Sequence, residues 1–259
     1  MTRFVHPLSL LAVIAVPIVG WFFEDWSGPT TLAVYWFENV AVCALIVARI
    51  VLHQRWSPRS GHFRYTAPSA DRRSSRNSSS FVTGFAVTSF AFCAAHAVFL
   101  AAIFFLLNRN GEGRLADVDW RSAGFGCLSV LAFLALDFFA DLFSLRSWSF
   151  WQLEQTAQRG LSRVVVVHLT LIFGFIGIAL TDAPSAFFGV FVVLKTLASL
   201  SAVLPQWEPK TPPKWFSNIM NRVPNVRPGE RFEDFWAEDR ADEAERRERN
   251  ERPLTARRR

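Results

Sequence analysis

Thr31 to Leu52 (TLAVYWFENVAVCALIVARIVL) is an apolar run of membrane length that carries a carboxylate and an amide, Glu38 and Asn39, inside it. A soluble protein can bury one such segment, but this chain has several. Apolar runs fall at about 4–23, 31–52, 81–107, 122–145, 163–180 and 185–204. Each is long enough for a helix to cross a hydrocarbon core of about 30 Å. The predicted fold class is therefore all-α, a polytopic membrane bundle of six transmembrane helices over residues 1–204. Residues 205–259 form a charged tail.

Composition agrees, at 51% hydrophobic residues with 26 Phe and 10 Trp. A net charge of +6 would suggest nucleic acid in a soluble protein. Here the basic residues concentrate between and after the apolar runs, so topology explains them and no nucleic-acid partner is expected. Cys43, Cys93 and Cys127 stand singly inside apolar runs, without the spacing of a zinc knuckle or a disulfide framework.

The first run follows Arg3 as a signal peptide would, but no small-x-small cleavage site follows, so it reads as an uncleaved span, kinked at Pro17. Residues 57–80 are rich in Ser, Arg and Pro and read as a disordered linker. Arg146 to Ser162 is too polar to cross, and its Trp148, Phe150, Trp151 and Leu153 suit a helix lying in the headgroup layer. Trp at span ends, Trp26 and Trp36 among them, read as interfacial belts. Arg3, the basic linker, Arg146, Arg159 and the tail all fall on one side, which the positive-inside rule places in the cytoplasm with both termini. The expected location is the cell membrane. In the tail, Lys214 to Val223 is expected at the bilayer interface. Glu233 to Arg252 is expected as a solvated helix with pairs such as Glu243–Arg247 and Glu245–Arg249. Anionic lipid headgroups, met by the linker and tail, and an unidentified protein partner for the tail complete the expected partners.

Ionisable side chains inside spans cost at least about 2.5 kcal/mol each on insertion scales, so each needs a reason. Those singled out are Glu38, His96, Asp137, Asp141, His168 and Lys195, with Asn39 beside them. Counting rise per residue puts Glu38 ~10 Å below the outer edge, His96, His168 and Lys195 ~15–18 Å deep, and Asp137 ~22 Å down. Asp137 and Asp141 are four apart and share a helix face. Asp137 is expected to pair with Lys195, Glu38 to lie above His96, and His168 to reach either group. Internal pairing is the plainer explanation for Asp137–Lys195 and for the two histidines. Glu38–Asn39 is as open to function as to packing. No cofactor is expected; the alternative is a divalent metal held by His96, His168 and Glu38.

Three segments carry a resemblance. Tyr35-Trp36-Phe37-Glu38-Asn39-Val40, the stretch Phe92 to Phe99 around His96, and Arg163 to Lys195 (RVVVVHLTLIFG to VVLKTLASL) resemble the segments of an uncharacterised bacterial multi-pass membrane family, a domain of unknown function. The chain departs from that pattern at Leu136 to Asp141 and at Leu161-Ser162. The resemblance implies an inner-membrane protein of six spans and supplies no activity. P-loop, dinucleotide, HExxH and serine-elbow motifs are absent. The leading expectation is a non-catalytic scaffold, sensor or assembly factor. The alternatives are a small proton-coupled transporter or permease and a metal-dependent intramembrane hydrolase.

Overall fold

The computed structural model describes residues 2–68, 80–109, 117–181, 209–223 and 231–254, with Val193, Thr196, Leu197 and Gly229. Among the described residues the chain is all-helical, with eight helices and no strand: α1 (Thr2–Phe23), α2 (Gly28–Trp56), α3 (Ser60–Phe63), α4 (Phe81–Arg109), α5 (Trp120–Leu145), α6 (Phe150–Thr181), α7 (Lys214–Met220) and α8 (Phe232–Glu251). Three are long and apolar enough to cross a membrane: α2, α4 over Phe81–Ala102, and α5. Leu11–Phe23 of α1 is a shorter apolar stretch. The sixth expected span, 185–204, lies outside the described residues except for Val193, Thr196 and Leu197. The chain divides into two compact units, residues 1–57 with 82–204 and residues 58–81 with 205–259.

In the first unit α2 is the central helix. Its buried positions include Leu32, Tyr35, Asn39, Cys43, Ile46, Ile50 and His53 on one side and Val34, Glu38, Ala41 and Arg49 on another. A helix buried on most of its circumference packs neighbours all round. Ser27 starts it as N-cap, its hydroxyl accepting from Thr30 N–H at 3.2 Å, with Pro29 in the first turn.

Contacts fix the helix directions. Ser9 meets Asp137, while Gly20 and Gly126 both close on Trp26, so α1 runs antiparallel to α5. Val34 meets Gly126 and Arg49 meets Asp141, so α2 and α5 run parallel. Leu32 and Tyr35 pack with Leu100 and Val167, whereas Cys43 packs with Cys93 and Val164. Helices α4 and α6 therefore both run antiparallel to α2. This is the alternation that successive membrane crossings require.

Lipid tails are as apolar as Leu, so close fit carries helix association in a bilayer. Trp26 supplies such a fit. The chain reverses at Asp25, which has φ +51° in the left-handed region that Asp tolerates, and Trp26 N–H returns to Gly20 O at 2.9 Å. The indole then lies between two glycines. A methyl on Gly20 would overlap the ring, and one on Gly126 would stand 2.5 Å from Cη2. Trp26 is thus buried packing rather than interfacial belt, and Trp36 also turns inward, its indole N–H donating to Cys93 O at 3.0 Å.

The stretch 146–162 does not form a separate surface helix. Ser149 and Gln152 cap each other's backbone N–H at 3.2 and 2.9 Å, a capping box that starts α6 at Phe150 and lets it run unbroken to Thr181. Phe150 and Leu153 are accordingly buried.

In the second unit, part of the stretch expected to be disordered is ordered. Ser60–Phe63 form a helical turn, and Ser60 N–H donates to Arg252 O at 2.8 Å. Thr66 is clamped to α8: its N–H donates to Asn250 Oδ1 at 3.2 Å, and its carbonyl accepts from Arg246 Nη1 at 2.9 Å and Asn250 Nδ2 at 3.1 Å. Polar composition alone implies a solvated face, but Arg246 and Asn250 are buried because each satisfies an extended backbone. Residues 69–79 of the linker lie outside the described residues. The Glu243–Arg247 pair forms at 2.7 Å and Glu245–Arg249 at 3.9 Å. Burial pushes the Glu243 carboxyl up, and hydrogen bonds from Arg246 and Arg247 outweigh it, so the net shift is downward. On α7, Trp215 and Ile219 are exposed while Phe216 stacks edge-on against Phe232 at 5.3 Å.

Candidate functional site

A cavity of about 580 Å³ lies between α1, α2, α5 and α6. Its lower wall is an ion cluster. Arg49 Nε donates to Asp141 Oδ2 at 2.7 Å and Nη2 to Asp137 Oδ2 at 2.9 Å. Ser9 Oγ donates to Asp137 Oδ1 at 3.0 Å, and the guanidinium stands 5.2 Å over the Phe138 ring. The shared face of Asp137 and Asp141 thus converges on one cation. That cation was missed in the sequence because Arg49 lies three residues from the end of its apolar run, where a long side chain is expected to snorkel. Lys195, the partner expected for Asp137, lies outside the described residues.

The opposite wall is α6, which presents Gln152, Gln155, Thr156, Arg159 and Arg163 to the cavity at helical spacing. Gly160 on the same wall sits against Ile46 of α2, which brings the two backbones close. Behind this wall Arg163 Nη1 meets Glu38 Oε1 at 3.5 Å, with Glu38 fully buried. The sequence placed Arg163 at a span's edge. Because α6 begins at Phe150, Arg163 lies about 20 Å along the helix and reaches the level of Glu38.

The histidines form a third locus apart from the cavity lining. The His96 and His168 ring centroids are 5.8 Å apart in an edge-on arrangement, with Phe92 and Phe99 against His168 at 6.4 and 6.1 Å. His96 is 1% exposed, yet neither ring nitrogen has a hydrogen-bond partner among the described residues. The same holds for His168 Nδ1 and for both amide atoms of Asn39. Glu38 therefore makes no hydrogen bond to His96. Among the described residues no three His, Cys, Asp or Glu side chains gather in a metal-binding arrangement. Unsatisfied buried polar atoms cost about 1–3 kcal/mol each. A locus of this kind is suited to water or a mobile proton.

Fold and cavity define a helical protein with apolar helices of membrane length and a charged cavity between four of its helices. The chain belongs to a family of unknown function, DUF6498, whose pattern it matches over residues 3–214. No curated protein and no solved structure matches it.

Proposed function

We propose that this is a multi-pass protein of the bacterial inner membrane, with six spans and both termini in the cytoplasm, that carries a small polar solute through the cavity in a proton-coupled manner. The observation behind this reading is the cavity itself, about 580 Å³ and lined by Arg49, Asp137 and Asp141 of the apolar helices α2 and α5 and by Arg159 and Arg163 of α6. That volume suits a small-molecule ligand. Charges inside a membrane bundle commonly mark solute or proton pathways. Each carboxylate here is held by an arginine, so protonating one releases a guanidinium and changes what the cavity can bind. The scaffold, sensor or assembly role rests on the tail, and the metal-dependent hydrolase lacks a gathered ligand set among the described residues. Neither has a comparable geometric support.

The test uses proteoliposomes with an entrapped pH dye and a panel of phosphate, glycerol 3-phosphate, glutamate and glycine. At least one solute is expected to speed proton entry about tenfold over empty vesicles, and Glu38→Gln to remove that gain. No response to any of the four, or full response in Glu38→Gln, contradicts the reading.

A further inference from the structure

We propose that the cavity takes a phosphoryl group, held by Arg159 and Arg163 on α6; this rests on the carrier reading above and names the class of its ligand. The two arginines are four residues apart, so both project from one face of α6, and both line the cavity. Arg159 makes no hydrogen bond or ion pair among the described residues. Arg163 engages Glu38 through a single contact at 3.5 Å, which leaves most of its five donors for another acceptor. Gln152 commits its carbonyl oxygen to Ser149 N–H and keeps an amide donor on the same wall. Across the cavity, Asp137 and Asp141 are both engaged by Arg49, so the facing wall is not a bare pair of carboxylates that would repel an anion.

Two guanidinium forks at one helical spacing match a tetrahedral oxyanion, whose several oxygens accept bidentate pairs from more than one side. The oxyanion is either a free phosphate ester or the headgroup phosphate of a lipid entering from the bilayer. Basic pockets between membrane helices hold headgroups by the same chemistry.

The experiment is performed on the full chain purified in phosphate-free detergent. Isothermal titration with inorganic phosphate and with glycerol 3-phosphate reads the free-ester source. Native mass spectrometry after incubation with phosphatidylglycerol reads the headgroup source. Arg159→Gln is the main variant, because Arg159 makes no hydrogen bond or ion pair among the described residues. Arg159→Lys keeps the charge without the fork. Binding by wild type in either arm that falls at least tenfold in Arg159→Gln, with Arg159→Lys between, supports the assignment and identifies the source by its arm. Absence of binding in both arms overturns it, and so does equal binding in wild type and Arg159→Gln. Failure here combined with glycine- or glutamate-driven proton entry in the vesicles would remove the phosphoryl ligand and leave the carrier standing.

Discussion

Arg49→Ala is expected to lower the unfolding free energy by about 3–5 kcal/mol, the range for breaking a buried ion pair from one side. Arg49 is 5% exposed and is bonded to two carboxylates on successive turns of α5. Its removal takes away the guanidinium that Asp137 and Asp141 share, one turn apart and with like charge. Asp137 retains 28% side-chain exposure and can draw in water, whereas Asp141 has 7% and cannot do so readily. Most of the cost therefore falls on Asp141. The control is Arg49→Met combined with Asp137→Leu and Asp141→Leu, which removes all three charges and should recover most of the loss. Reversible unfolding in mixed micelles measures both. A loss below about 1 kcal/mol in Arg49→Ala would show that the cluster is solvated and does not join α2 to α5.

Trp26→Ala is expected to cost a similar 3–5 kcal/mol, by a different route. The indole fills a slot whose walls are Gly20 of α1 and Gly126 of α5, with Val34 of α2 beside it. Glycine has no side chain with which to fill the vacated volume, so the hole collapses poorly and the larger end of the range applies. Trp26→Phe should fall between alanine and wild type. Gly126→Ala should cost about 1–3 kcal/mol by overpacking, because the indole cannot retreat from the new methyl without running into Gly20. The same unfolding measurement reads these variants. A Trp26→Ala loss below about 1 kcal/mol would mean that α1 is not held by this clip.

The helices of the first unit were legible because each carries a long apolar run, and caps only moved their ends. Ser27 and Pro29 start α2 a few residues before the apolar run expected at 31. What escaped the sequence depends on neighbours. Residues 150–162 look interfacial by polarity, yet they form the first turns of a long helix whose polar face lines a cavity. That displacement also hid the Arg163–Glu38 pair, since the helix starts at Phe150, well before the apolar run at 163. Glu38, Asp137 and Asp141 were visible as carboxylates in apolar runs, but their cations sit on other helices and no spacing reveals them. Counting placed His96 and His168 at one level, and their rings do lie 5.8 Å apart, while the lack of partners on His96 is visible only in three dimensions. The ordering of Arg59 to Thr66 against α8 was hidden because the two segments are about 180 residues apart, as in the Thr66–Asn250 separation of 184.

The most direct test of the account is whether the cavity is reached by water. Thr156 lines it, and among the described residues its hydroxyl bonds only back to Gln152 O at 2.9 Å, so a cysteine is tolerated there. With Cys43, Cys93 and Cys127 replaced by alanine, Thr156→Cys in vesicles is exposed to a charged, membrane-impermeant thiol reagent. Val130→Cys, fully buried in the same unit, is the unreactive control, and Ser147→Cys, exposed beyond the end of α5, the reactive one. The account predicts that Thr156→Cys reacts within about tenfold of Ser147→Cys. Reaction no faster than at Val130→Cys would contradict it.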